Sequence, residues 1–249
     1  MQIKVMTFNL RIDVPVDGEN QWRFRIPSVK AMIEKHQPDI LMLQETTPAM
    51  LKDLETIETV YGYYYVGRNA DYQGEGCPIY FRKQDWRLKL ADTIWLSQTP
   101  HTPGSMDEEE GFPRIASMVV LQHTSGMKFR FVNTHLAYRS KRAKDLNQKV
   151  LFDFIQNFPE RIPTILGGDF NEEISVIQKY RTRDFEFALS PEQGPTYHEF
   201  KGGQGITQID HLLYQAFFQL TEVTVDRQSS LDRLPSDHYP VIGVFQYES

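Results

Sequence analysis

The stretch ILGGDFNEE, residues 165–173, runs an apolar segment through two glycines into Asp169 and Asn171. A two-residue period places Asp169 and Asn171 on one face of an extended chain, with Phe170 on the other. Gly167 and Gly168 permit close backbone approach or unusual dihedrals. The pattern recurs: apolar runs end in Asn9 (TFNLR), Glu45 (DILMLQE), Asn133 with His135 (NTHL) and Asp237 with His238 (SDHYP), while Asp210 opens IDHLLY. Each junction alone has a plain alternative: an Asx turn, a surface glutamate or a satisfied core histidine. Together they resemble the way catalytic groups sit at the loop ends of a rigid scaffold.

The donor set is rich in hard oxygens (Glu45, Asp169, Asp237), with amides and imidazoles but neither a cysteine cluster nor an H-E-x-x-H motif. Such a set favours Mg²⁺, with Mn²⁺ the alternative, over Zn²⁺. Few protein carboxylates plus a substrate phosphate is the usual Mg²⁺ arrangement. With histidine present, the expected chemistry is hydrolysis at phosphorus: a cation offsets developing charge, a carboxylate takes a proton from water, and imidazole stabilises the oxyanion.

The elements that must position these groups are legible in outline. Strands are expected at IKVMTFNL, PDILMLQE, YYYVG, PIYFRK, LKLADTIWLS, IASMVVLQH, KFRFVNTHL, TILGGDF, IDHLLY, LTEVTVD and PVIGVFQYE. Helices are expected at QWRFRIPSVKAMIEKH, with Ile26, Val29, Met32 and Ile33 on one face, and at TPAMLKDLETI, with Thr47 as N-cap and Pro48 in the first turn. A third covers SKRAKDLNQKVLFDFIQNF, with Leu146, Val150, Phe154 and Phe158 every four residues, and a fourth follows at EEISVI. SGM at 125–127 reads as a hairpin turn. Several strands follow one another directly, so simple β-α alternation fails and an α+β layered sandwich is expected.

The 249 residues carry 40% hydrophobic residues, enough for one domain, 1–249, and no linker or repeat divides them. A net charge of −6 argues against a protein that coats long nucleic acid. The basic run YRSKRAKDLNQK at 138–149 is the local exception, and opposes the macrodipole of the helix it opens; it reads either as a site for an anionic ligand or as a solvated helix face. MDEEEG at 106–111 reads as a solvated loop. The single cysteine, Cys77, excludes an internal disulfide and reads as a small core residue. No signal peptide or membrane span is seen, so a cytoplasmic monomer is expected.

The ordered set TFNLR, DILMLQE, NTHL, GDFN, IDHLLY and SDHYP resembles the endonuclease/exonuclease/phosphatase superfamily, with its DNase I-like fold, across the whole chain. WRFR at 22–25, IWLSQTPHTPGS and FPRIASMVVL are similar to a bacterial branch related to deadenylase-like and nocturnin-like members. The resemblance implies a four-layer α/β/β/α sandwich of two mixed β-sheets with the site at one edge. It implies that Glu45 binds Mg²⁺, assisted by Asn9 and Asp237, and that Asp169 activates or orients water beside Asn171. His238, oriented by Asp210, would contact the scissile phosphate as base or as electrostatic stabiliser. Asn133 and His135 join the catalytic set, Glu75 would pair with His135, and Arg114 would contact phosphate. Arg11, where the abasic-site repair branch has an acid, is a further substrate contact. The implied activity is a metal-dependent phosphoric ester hydrolase, a nuclease or a small-molecule phosphatase, acting on nucleic acid, nucleotide, sugar phosphate or lipid headgroup. The rival is a catalytically silent metal- or phosphate-binding module on the same fold.

Overall fold

The computed structural model describes residues 1–181, 184–228 and 233–247. The chain opens with β1 (Gln2–Asn9), α1 (Trp22–His36), β2 (Ile40–Gln44), α2 (Pro48–Asp53), β3 (Tyr61–Tyr64) and β4 (Ile79–Arg82). Then come β5 (Trp86–Trp95), β6 (Ile115–His123), β7 (Lys128–His135), α3 (Lys141–Gln156), β8 (Thr164–Asp169), the single turn α4 (Ile174–Ile177), β9 (Phe185–Phe187), β10 (Asp210–Gln215), β11 (Phe218–Val225) and β12 (Val241–Tyr247). Glu248, the last residue of the final expected strand, lies outside the described residues.

Two six-stranded sheets result, ordered β11-β12-β1-β2-β4-β3 and β5-β6-β7-β8-β10-β9. Each is mixed: β1/β2 and β7/β8 run parallel, and the other neighbours are antiparallel. The continuous apolar run ILML of β2 follows from burial on both faces. Ile40 and Met42 enter the core between the sheets with Val5, Phe129, Phe131 and Ile165, while Leu41 and Leu43 face α1 and α2. A third cluster packs Met118, Val132 and Leu166 of the second sheet against Leu151, Phe152 and Ile155 of α3. This is the expected four-layer sandwich, with helices outside two facing sheets.

Local signals behave as their chemistry requires. The Thr47 hydroxyl accepts from the Met50 N–H and caps α2. The buried side of α3 is Ala143, Asn147, Leu151 and Ile155 with Gln148 and Phe152, one position along from the expected Leu146, Val150, Phe154 and Phe158 row, which is only partly buried. The reason is Asn147: its Oδ1 accepts from Ala137 N at 2.9 Å and its Nδ2 donates to Leu96 O. A polar side chain thus occupies the core stripe because it satisfies two loop backbone groups.

The two glycines of GGD meet steric limits. A Cβ on Gly167 would lie 2.8 Å from both Leu212 and Met42, where the sheets approach. Gly168 has φ +146°, and its Cβ would fall 2.0 Å from Thr134 O. Both permit β8 to run flush to the edge where the expected functional residues gather.

Candidate active site

Strand register assembles the first part of the site. Parallel pairing sets His135 of β7 beside Asp169 of β8, and antiparallel pairing sets Asp169 beside Asp210 of β10. His135 Nε2 lies 3.4 Å from Asp169 Oδ2. His238, on the loop before β12, faces the same row: Nδ1 is 2.8 Å from Asp210 Oδ2 and Nε2 is 3.8 Å from Asp169 Oδ2. Thr196 Oγ1 donates to that Asp210 oxygen at 2.6 Å while accepting the Ile209 and Asp210 N–H groups. The loop before β10 is therefore wound around the carboxylate that holds His238.

Burial sets the charge states. Asp169 has its carboxyl pKa raised, first by burial and then by the Asp210 charge. Burial alone would lower His238, but the charge and hydrogen bond of Asp210, with Asp169 and Asp237, push it up to about 10. His135 is held well below the usual imidazole range by burial, then by Arg114 and Arg68. The site therefore pairs a cationic His238 with a neutral His135 on either side of one carboxylate, an arrangement that stabilises negative charge on a ligand.

The first sheet supplies the opposite wall. Asn9 Nδ2 donates to Glu45 Oε1 at 3.1 Å and to Asp169 Oδ2 at 2.9 Å, bridging the sheets. Its Oδ1 accepts the Arg11 N–H at 2.9 Å, so the amide nitrogen holds the two carboxylates while the oxygen is turned to the Arg11 backbone. Glu45 Oε2 accepts the Ile12 N–H at 2.8 Å. Arg11, Glu45 and Asn171 all have positive φ, 56°, 57° and 49°, a strained conformation for side-chain-bearing residues that clusters at functional sites.

Asp237 completes this wall. Its carboxyl is raised by burial, lowered by His238 and raised again by Glu45. Two carboxylates on one wall of the site, Glu45 and Asp237, present oxygen-only donors and fit a hard divalent cation. The carboxylate and imidazole atoms of Asp169, Asp210 and His238 also lie within 4.8 Å of one another. There, however, the Asp210 oxygen is already shared between His238 and Thr196, which suits a positioning chain better than a cation cage.

These groups line one open cleft of about 480 Å³. Arg11, Glu45, Glu75, Arg114, His135, Asp169, Asn171, Asp237 and His238 all reach it. Residues 6–238 match the endonuclease/exonuclease/phosphatase family. The chain belongs to that family. A family protein from Bacteroides thetaiotaomicron is similar, at 25% identity and a TM-score of 0.91, with 100% of this chain and 99% of that one covered. The Bacteroides thetaiotaomicron mannosyl-6-phosphatase shares the fold at 24% identity and a TM-score of 0.88, covering 98% and 100%. So does the human Nocturnin catalytic domain with bound sulfate anion, at 22% identity and a TM-score of 0.77, covering 99% and 94%. No curated protein matches the sequence significantly.

Within this family member, three expected site residues stand behind the cleft. Asn9 and Asp210 position Glu45, Asp169 and His238, as above. Asn133 is fully buried between the sheets: its Nδ2 donates to Leu43 O at 2.7 Å and Pro78 O at 2.9 Å, and its Oδ1 accepts from Gln44 Nε2 at 2.7 Å. Every arm is committed to the strand ends, so Asn133 braces the site from the core instead of joining the chemistry. The expected Glu75–His135 pair is also replaced. Glu75 forms its ion pair with Arg68, while His135 turns to Asp169.

The acidic run 106–111 is only in part the expected solvated loop: Glu108 and Glu109 are exposed, but two of its acids are buried. Asp107 and Glu110 are 5% and 1% exposed. Glu110 accepts Arg114 Nε at 3.0 Å, Tyr138 N at 3.3 Å and Arg139 N at 3.1 Å, and Asp107 lies 3.4 Å from Arg142. The basic run 138–149 is thus largely answered from within the chain, with Lys141 on Asp145, Lys144 on Glu172 and Lys149 on Asp153.

Arg25, Arg68, Phe112, Tyr138, Tyr197 and Thr196 had gone unassigned in the sequence. Arg25 lay within the family-like WRFR and carried that signal. It is fully buried and donates to the carbonyls of Asn20, Leu10, Pro235 and Arg11 at 2.6–2.8 Å, clamping the loops that carry Arg11 and Asp237. Phe112 and Tyr138 open the FPRIASMVVL and YRSKRAKDLNQK stretches, and Arg68, Thr196 and Tyr197 come from connections with no periodicity to expose them.

Proposed function

We propose that this protein is a divalent-metal-dependent phosphohydrolase, with Mg²⁺ the resident ion and Mn²⁺ an effective substitute, acting on phosphate esters in the cleft between Glu45 and His238. The observation that carries the reading is the convergence, in one cleft, of the Glu45/Asp237 oxygen pair with the His135–Asp169–Asp210 row and a cationic His238. Glu45 and Asp237 would hold the cation, with Asn9 fixing Glu45. When bound, the cation supplies positive charge against the phosphoryl oxygens and the leaving oxygen.

The remaining work falls to the chain's own side chains. Asp169 takes a proton from an attacking water, its Oδ2 fixed by Asn9 and flanked by both imidazoles. Asn171, whose N–H donates to Asp169 Oδ1, orients that water or a phosphoryl oxygen. His238 donates from Nε2 to a non-bridging oxygen while Asp210 holds Nδ1–H. The water oxygen bonds to phosphorus, the ester P–O bond breaks, and the departing alkoxide takes its proton from solvent water in the open cleft, while Asp169 keeps the proton of the attacking water until it passes to solvent. His238 reads as the electrostatic stabiliser, because a histidine held protonated to about 10 is a poor base at neutral pH. The mannosyl-6-phosphatase likeness supports a small phosphorylated substrate, and the internal pairing of the 138–149 run removes the main argument for nucleic acid.

The test is Mg²⁺-dependent hydrolysis of p-nitrophenyl phosphate and bis-p-nitrophenyl phosphate by the wild type and by His238→Ala. A wild type active only with metal and a variant slowed about 100-fold or more are expected. A wild type as inert as the variant across Mg²⁺, Mn²⁺, Co²⁺ and Ca²⁺ overturns the reading.

A further inference from the structure

Two cleft-lining guanidiniums have more donor capacity than the protein uses. Arg68 forms an ion pair with Glu75 through Nη2, and Arg114 forms one with Glu110 through Nε. A guanidinium carries five N–H donors in a planar fork, so each keeps N–H groups that no ion pair among the described residues engages. Arg114 is 95% buried by residue, at 5% exposure, so its charge has little water to rely on. The Phe112 ring holds both heads in place: Arg68 Cζ lies 4.7 Å and Arg114 Cζ 4.6 Å from its centroid. Glu110 fixes Arg114 from behind, and Glu75 fixes Arg68.

The pair also points to the reacting end. Arg68 and Arg114 line the same cleft as Glu45, His135 and His238. Burial and the Arg114 charge both weigh against a protonated Arg68, and Glu75 only partly offsets them. Two like charges held beside one ring and lining the same cleft are built to receive an anion with more than one acceptor oxygen.

We propose that Arg68 and Arg114 form a two-arginine cradle for the terminal oxygens of a dianionic phosphate, so that the cleft selects phosphomonoesters over phosphodiesters. The proposal rests on the phosphohydrolase reading and names the substrate class for it. A monoester offers three terminal oxygens and two negative charges. A diester offers two such oxygens, one charge, and a second alkoxy group that would meet the Phe112–arginine wall. Arg68 is the discriminating residue to test, because Arg114 also pairs with Glu110, which accepts the Tyr138 and Arg139 N–H groups.

The experiment compares wild type, R68Q and R68K by steady-state kinetics on p-nitrophenyl phosphate and bis-p-nitrophenyl phosphate, with inorganic phosphate binding measured by calorimetry at fixed Mg²⁺. The ratio of monoester to diester kcat/KM is expected to fall about 10-fold or more in R68Q, mostly through KM, as a lost charge-assisted hydrogen bond requires. Phosphate affinity should fall in parallel, and R68K should recover part of both. An unchanged ratio in a folded R68Q, or unchanged phosphate affinity, overturns the cradle. If the wild type hydrolyses neither ester, the phosphohydrolase reading fails separately, and phosphate binding alone then decides: weaker in R68Q upholds the cradle, equal or absent in both overturns it.

Discussion

Asn9 Nδ2 donates to Asp169 Oδ2 across 2.9 Å, joining the end of β1 in one sheet to the end of β8 in the other. The residues lie 160 positions apart in the chain. The same amide holds Glu45, so one side chain sets the spacing between the carboxylate that would activate water and the carboxylate that would bind metal. A shift of one sheet against the other would break both contacts, which makes the inter-sheet core part of the catalytic apparatus.

Asp169→Asn should separate chemistry from folding. Loss of the general base predicts a fall in kcat of about 100-fold or more. The variant loses one acceptor facing Asn9 but also relieves a buried charge that burial and Asp210 disfavour. The melting temperature in EDTA should therefore move by less than about 5 °C. A large drop in stability with activity retained would remove Asp169 from the catalytic role.

Chelation and the Glu45 variant address the cation. EDTA should abolish hydrolysis, and added Mg²⁺ should restore it. Glu45→Gln should raise the Mg²⁺ concentration for half-activation about tenfold or more, because a neutral amide is a far weaker ligand for a hard cation. Unchanged Mg²⁺ affinity in this variant, measured by titration calorimetry, would take the ligand role away from Glu45.

Arg25→Gln probes the clamp behind the site. Removing a buried guanidinium leaves the carbonyls of Leu10, Arg11 and Pro235 short of donors, costing about 3 kcal/mol or more. Chemical denaturation should show that loss, and kcat should fall with it because the Arg11 and Asp237 loops lose their common anchor. Wild-type stability in this variant would show that the loops are held by other means.

His211 should shape the acid limb of stability. It is fully buried between the Phe170 and Phe187 ring edges, its Nε2 donates to Glu172 O at 2.9 Å, and its Nδ1 has no partner among the described residues. Burial lowers its pKa to about 4. A histidine with a folded pKa below its unfolded value binds its proton preferentially when unfolded, so the folded state is favoured above the unfolded pKa near 6.5 and loses ground as pH falls toward 4. Urea denaturation at pH 7 and pH 4.5 should differ by about 2–3 kcal/mol from this group alone. In His211→Asn that part of the pH dependence should vanish, and an equal dependence in both proteins would assign it elsewhere.

Much of this architecture was legible in residue order. The doubly buried run ILML, the Thr47 cap, the hairpin at 125–127 and the succession of strands all follow from local periodicity and turn chemistry, which act over a few residues. The site was legible for a related reason. A polar group at the end of an apolar strand is costly or idle unless something uses it, so Glu45, His135, Asp169, Asp237 and His238 stood out by position alone.

Partnership was not legible, because it depends on contacts between residues far apart in the chain. Sequence showed Asn133, Asn9 and His135 as equals; only packing of the two sheets sends Asn133 into the core, turns the Asn9 oxygen toward Arg11, and gives His135 to Asp169 while Glu75 goes to Arg68. Likewise the acidic 106–111 run and the basic 138–149 run look like separate charge clusters until the fold lays one against the other, burying Asp107 and Glu110 beside Arg142 and the Arg139 N–H. The sequence by itself determined which elements form and which groups arrive at the cleft edge, since those are short-range properties. Tertiary structure decided which of them face the cleft and which hold others in place, since hydrogen-bond partners and burial are set by neighbours that the chain brings together only when the sheets pack.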